Sequence, residues 1–219
     1  QPEAAPAVLL RDDHAHDGEV EQALDSLARS SIGNFNVDLM YALPGQGVES
    51  ALGDVRRALD SGASHVSHYQ LTIEPNTAFY AAPPELPNDE LAWAIQQHCA
   101  GQLDKAGFSN YEVSAWARAG RECRHNLNYW TYGDFIGIGA GAHGKLTVAA
   151  DNVVRRRIRR RNPRDWMIDA EQGNAIADDR VLDVGERVFE FFLNQLRLRR
   201  GVRKDQFSPR TGLAWTVVE

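Results

Sequence analysis

Apolar residues recur along this chain with two alternating rhythms, one helical and one extended. Over residues 17 to 31, Val20, Ala23, Leu24, Leu27 and Ala28 fall at helical spacing, and Gly33 ends the run. NFNVDLMY, 34 to 41, alternates instead. Phe35, Val37, Leu39 and Tyr41 share one face, and Asn34, Asn36, Asp38 and Met40 share the other. After the punctuation of Leu43-Pro44-Gly45, a second helical stripe holds Val48, Ala51, Leu52, Val55 and Leu59, with Gly62 placed for a left-handed C-cap. SHVSHYQLTI, 64 to 73, reads as a second strand. A loop rich in Pro and Asn leads to a helix from about Asp89 to Lys105, ended by Gly107, and NYEVSAW, 110 to 116, reads as a third strand.

Strand, helix, strand, helix, strand at these lengths predicts right-handed βαβ units on a parallel sheet, hence an α/β fold. Residues 17 to 150 then form one domain, preceded by a poorly patterned segment, 1 to 16. Beyond 150 the pattern changes. RRRIRRR is expected to be a solvated, mobile charge run, and VGERVFEFFLNQLRLRRG, 184 to 201, an apolar helix. Residues 151 to 219 are therefore expected to form a small helical module, cut off at Glu219 and packed on Leu182, Phe189, Phe192 and Leu196. Cys99 shares a helical stripe with Leu91, Ile95 and Leu103, which marks it as a core residue.

In parallel α/β folds the chemistry gathers at the C-terminal ends of the strands. The first strand brings Asp38 there, the second ends in Gln70, Thr72 and Glu74, and the third carries Tyr111, Glu112 and Ser114. A carboxylate embedded in a strand needs a partner. For Asp38 that partner is either a neighbouring loop or a ligand group such as a ribose hydroxyl.

The glycine-rich stretch GIGAGA, 137 to 142, fits the loose G-x-G-x-x-A pattern of dinucleotide folds. Its context does not. YWTYGDF precedes it in place of an apolar strand, and His143-Gly144-Lys145 does not open a helix. The small residues are better suited to close approach of backbone to backbone or to a flat ligand. Upstream, Cys123 and His125 have no second metal-binding pair beside them, so tetrahedral zinc is weakly supported. His125 with Arg121, Arg124, Tyr129 and Trp130 suits a large planar, acidic ligand, or else a packed surface loop.

Composition narrows the partners. At 219 residues, 43% hydrophobic and 25% charged, the chain is ordinary globular material, and its formal charge of −6 argues against nucleic acid. Two cysteines make neither a disulfide framework nor a four-cysteine zinc site, and a reduced, cytoplasmic compartment is expected. The opening QPEAAPAV resembles neither a signal nor a transit peptide, so a fragment or processed chain is expected.

NFNVDLMYALPGQ, SHYQLTIEPNTAFY, YEVSAWARAGRECRHNLNYW and DFIGIGAGAHGK together resemble, in this order, the radical S-adenosylmethionine proteins related to oxygen-independent coproporphyrinogen III oxidase. The run H-N-x-x-Y-W, here His125 to Trp130, resembles the mark of that family's heme chaperones. The resemblance implies an α/β chain forming the second half of a partial (β/α) barrel, followed by part of a small, winged-helix-like C-terminal domain. It implies a heme-binding chaperone that passes heme to an acceptor protein, with oxidative decarboxylation of coproporphyrinogen III as the alternative. By the same resemblance Asp38, Thr72, His143 and Arg11 would contact S-adenosylmethionine, while His125, Asn126, Tyr129 and Trp130 would hold heme, with His125 on the iron. The reading admits a membrane-associated acceptor and a homodimer. The family's [4Fe-4S] cluster sits on a C-x-x-x-C-x-x-C loop, and no such spacing occurs here, so the chain as given is expected neither to bind the cluster nor to cleave S-adenosylmethionine. Two positions depart from the family pattern: Ala42 stands where glycine is usual, and Arg11-Asp12-Asp13-His14 has one residue more than the family's R-x-H run.

Overall fold

A computed structural model describes residues 5–8 and 17–219. Arg11 lies outside the described residues. The chain divides into two compact units, 1–123 and 124–219.

The first unit is built on a five-stranded sheet of order β1-β2-β3-β5-β4. Strands β1 (Ala5–Val8), β2 (Phe35–Tyr41) and β3 (His65–Gln70) run parallel. Helices α1 (Asp17–Arg29) and α2 (Val48–Asp60) connect them. A short turn of helix, α3 (Ala78–Ala81), lies in the loop before α4 (Asp89–Lys105). The alternation in β2 is realised, with Phe35, Val37, Leu39 and Tyr41 all buried. They meet Ala51, Val55 and Ala58 of α2 and Ile95, Cys99 and Leu103 of α4 in one core. Leu91, on the same stripe of α4, is 37% exposed at the helix start. The ends of α4 are set locally. Asn88 accepts from Leu91 N–H at 2.9 Å, Asp89 and Glu90 complement the positive end, and Gly107 takes the left-handed conformation beyond the last turn. Gly62 does the same after α2.

The expected third parallel strand is instead a hairpin. β4 (Ser109–Glu112) turns back into β5 (Ala115–Ala117), which lies antiparallel to β3. The Asn110 amide donates to the carbonyls of Glu112 and Ala115, and Ser114 N–H donates to the Glu112 carboxylate, so the reversal is pinned by polar side chains. Strand β3 also ends at Gln70, short of the expected residue 73.

The second unit corrects the expectation of an all-helical tail. After α5 (Arg124–Trp130) it holds an antiparallel sheet of β6 (His143–Val148), β7 (Val153–Arg159) and β8 (Ile176–Val181). Helices α6 (Pro163–Glu171), α7 (Val184–Gln195) and α8 (Lys204–Thr211) complete it. Residue 150, the expected boundary, falls in the turn between β6 and β7.

The arginine run is not a mobile tail but the central strand. Arg155 and Arg157 both reach Asp179 on β8, at 3.0 and 2.7 Å, while Arg156 turns the other way to Glu190 at 2.7 Å. Strand alternation and long-range carboxylates together convert a charge run into a paired element. The unit's core is Tyr132, Val154, Leu182, Phe191 and Phe207, with Phe192 partly buried against it. Phe189 and Leu196 are not part of it; they are 66% and 68% exposed, because the buried side of α7 is taken by Arg187, Phe191 and Gln195.

Truncating Phe191 should therefore cost about 3–5 kcal/mol. Phe189→Ala should stay within about 0.5 kcal/mol of the parent. Urea unfolding of the two variants tests this, and equal losses would restore Phe189 to the core.

Candidate functional site

On the first unit the candidate residues lie on the sheet face opposite the α2–α4 core. Parallel register pairs Asn36 with His65 and Asp38 with Ser67, which brings these side chains together. Asp38 is the fourth of the seven residues of β2, mid-strand rather than at its end as expected. Thr72 lies two residues beyond β3, exposed, and donates to the Glu74 carboxylate at 3.2 Å.

Around Asp38 the polar groups form an ordered chain. The Asn36 amide donates to Asp38 Oδ1 at 2.6 Å, since a carboxylate only accepts. This orientation turns Asn36 Oδ1 toward Ser67 Oγ, 3.2 Å away, and His65 Nδ1, 2.6 Å away. Nδ1 must therefore carry the proton. Nε2 is left as an acceptor for the Tyr111 hydroxyl at 2.8 Å, and Tyr111 in turn accepts from Cys123 N–H. His65 is 1% exposed, and burial lowers its pKa to about 4, although the charges of Asp38 and Glu122 pull the other way. On the opposite face His68 is stacked on Tyr41 at 4.5 Å, and burial again lowers it to about 4. Sequence reasoning missed the His65–Tyr111 pair. Tyr111 stood among the polar groups of the third strand, whereas His65, the first residue of β3, carried no signal of its own.

In the second unit the glycine-rich stretch is a close-packed corner. A Cβ at Gly137 would collide with the backbone of His143, and one at Gly133 with Asn128. Close backbone approach, expected from the sequence, is thus what these glycines allow. Lys145, 1% exposed, is enclosed there. Its ammonium donates to Asp134 at 2.8 Å, Tyr132 O at 3.1 Å and Thr147 at 3.2 Å, and lies 4.0 Å from the Tyr132 ring centroid. Burial lowers the Lys145 pKa against the pull of Asp134. Burial works to raise Asp134, but hydrogen bonds from Lys145 and Thr147 hold it below the usual carboxylate range. His143 opens β6 and is exposed.

Helix α5 carries the expected heme residues. His125 is exposed, and its ring meets Tyr129 edge-on at 4.6 Å; Tyr129 meets Phe135 at 4.3 Å. Among the described residues no hydrogen bond engages the His125 imidazole. Asn126 is half-buried. Trp130 is covered by the Arg197 guanidinium at 4.2 Å, and its indole N–H is buried with no hydrogen-bond partner among the described residues. Among the described residues no cluster of three or more metal-ligating side chains occurs, and no helix is long and apolar enough to cross a membrane.

The chain is 42% identical over 200 residues to the heme chaperone HemW of Escherichia coli. It is 41% identical to that of Haemophilus influenzae and 32% identical to that of Bacillus subtilis. The chain belongs to the HemW family. These alignments take in 91%, 92% and 82% of the chain, which spans about half the length of the curated relatives it matches. No family model matches it. Among solved structures, the radical SAM enzyme coproporphyrinogen III oxidase (HemN) of Escherichia coli shares the fold. The TM-score is 0.72 at 16% identity, over 94% of this chain and 50% of that one. The mixed α/β architecture is therefore that of the HemN-like fold.

The two buried histidines give the first unit an acid limit. Both folded values lie below the unfolded value of about 6.5, so below that pH the unfolded chain binds more protons. Stability is complete above pH 6.5 and falls as the pH drops toward 4, by on the order of 3 kcal/mol for each histidine. His68→Phe keeps a ring on Tyr41 and should remove one histidine's share of the slope in thermal melts between pH 7 and 4. An unchanged slope would mean that His68 is not held neutral.

Proposed function

We propose that the protein handles heme as cargo, as a heme chaperone of the HemN-like radical S-adenosylmethionine fold, and passes it to an acceptor protein. The observation that carries this reading is His125. Its imidazole is exposed and free of hydrogen bonds among the described residues, yet its ring is steadied edge-on by Tyr129 and, through it, Phe135. An imidazole nitrogen with an open lone pair ligates heme iron, and aromatic rings beside it can meet the macrocycle. Trp130 and Asn126 share the same short helix and would contribute at its margin. The cargo moves without chemistry on the porphyrin: His125 binds when heme arrives and dissociates when a stronger axial ligand is offered by the acceptor.

The family implies S-adenosylmethionine, and Asp38 fits it. One carboxylate oxygen takes the Asn36 amide and the other has no hydrogen-bond partner among the described residues, which suits a ribose hydroxyl. Thr72, exposed just beyond β3 of the same unit, would add to that contact. When bound, the sulfonium group would supply a carbon–sulfur bond open to reductive cleavage. The family's [4Fe-4S] cluster does not fit the residues of this chain. Cys99 is buried in the helix core, burial raises its thiol to about 11, and Cys123 is far from it in sequence, so no step is assigned to a cluster here. Two unbridged cysteines suit the reducing cytoplasm.

Titrating heme into the protein should give a Soret band that His125→Ala removes or shifts while Cys123→Ser leaves it in place. Identical heme spectra for the parent and a folded His125→Ala variant would defeat the assignment. Turnover of coproporphyrinogen by the parent, lost in His125→Ala with heme binding unaltered, would favour the decarboxylase instead.

A further inference from the structure

We propose that Tyr111, His65 and Asn36 are positioning residues that fix the Asp38 carboxylate for a ribose hydroxyl. This rests on the reading of Asp38 as the nucleoside contact. The argument is one of direction. A carboxylate on a strand face can rotate about its side-chain bonds, and a ligand that uses one oxygen must meet it in a defined pose. Here Oδ1 is held by Asn36 at 2.6 Å, so among the described residues Oδ2 alone is left without a partner. Asn36 could present either end of its amide to Asp38. Ser67 and His65, both donating to Asn36 Oδ1, decide which. His65 can donate from Nδ1 only while Nε2 accepts, and the Tyr111 hydroxyl supplies that proton at 2.8 Å. Tyr111 is itself turned by Cys123 N–H, which donates to its oxygen. Donor and acceptor thus alternate along the series from Cys123 to Asp38.

The relay works only with a neutral imidazole. A charged one would present a second N–H to Tyr111 and compete, as a cation beside Asp38, with any ligand donor. The ionisable groups facing His65 are Asp38 from β2, Tyr111 from β4, and Glu122 from the segment after β5. Its near-complete burial outweighs both carboxylates. The relay is also assembled from afar: Tyr111 lies 46 positions from His65, brought there by the hairpin that replaces a third parallel strand. The hairpin therefore has a use at the site, because a parallel third strand in the β5 position would not deliver Tyr111 from β4.

Two measurements test this. Nitrogen-15 spectra of the imidazoles should show His65 protonated on Nδ1, the minority tautomer of free histidine, and Tyr111→Phe should shift it toward Nε2. Calorimetric titration with S-adenosylmethionine should then show Asp38→Ala weakening binding by roughly tenfold or more, the loss of about 1.4 kcal/mol. Tyr111→Phe should weaken it about threefold to fivefold and His65→Leu by nearly as much as Asp38→Ala. His65→Gln, which restores one donor and one acceptor, should recover most of the loss. Tyr111→Phe removes a single oxygen and keeps the test open if His65→Leu does not fold. Unchanged affinity in Asp38→Ala, or no binding by the parent, would defeat the ribose reading; the tautomer then decides the relay alone. A weakened Asp38→Ala beside relay variants at parental affinity, or an Nε2 tautomer in the parent, would overturn the proposal.

Discussion

A polar side chain placed on a sheet face must find its partners inside the fold, and in both units this requirement decides which groups remain open to a ligand. In the first unit Asn36, His65 and Tyr111 use one another's donors and acceptors and, among the described residues, leave one oxygen of Asp38 over. In the second, Lys145 is enclosed by Asp134, Tyr132 and Thr147 and leaves nothing over. An unmatched buried donor or acceptor costs about 1–3 kcal/mol, so neither set can be partly filled without the unit losing a large share of its stability. Lys145 therefore reads as architecture of the glycine-rich corner, and Asp38 as a group with chemistry to spare.

The parallel half of the first unit was legible because its signals are local. The alternation of β2, the stripes of α2 and α4, and the left-handed positions at Gly62 and Gly107 each depend on neighbours within a few residues. The hairpin β4–β5 was not legible. Its reversal depends on hydrogen bonds donated by the Asn110 amide and accepted by the Glu112 carboxylate, which no hydrophobic period reports. The strand β7 was hidden for a different reason: carboxylates more than twenty positions away neutralise its arginines. At the site, Asp38 and His125 stood out as single residues, whereas the link from His65 to Tyr111 exists only once β3, β5 and β4 are laid side by side.

Ala42, where the resemblance leads one to expect glycine, is accommodated by the fold. It follows β2 at φ 59°, in the left-handed region, and is 3% exposed. Glycine there would relieve a steric cost of about 1–2 kcal/mol. It would also give up a buried methyl group, about 0.8 kcal/mol, and add about 0.4–1 kcal/mol of unfolded-chain entropy. The terms nearly cancel, so the position can hold either residue.

The pairing of β7 also sets where the chain can be cut. A protease specific for basic residues needs several residues of extended, unengaged backbone. Residues 155 to 159 carry the densest run of its recognition sites, but their backbone is hydrogen-bonded to β6 on one side and β8 on the other. Arg199 and Arg200, exposed in the turn between α7 and α8, lie outside any ladder. Within the second unit a nick is therefore expected at Arg199 or Arg200 rather than in β7, and it would leave the three-stranded sheet whole.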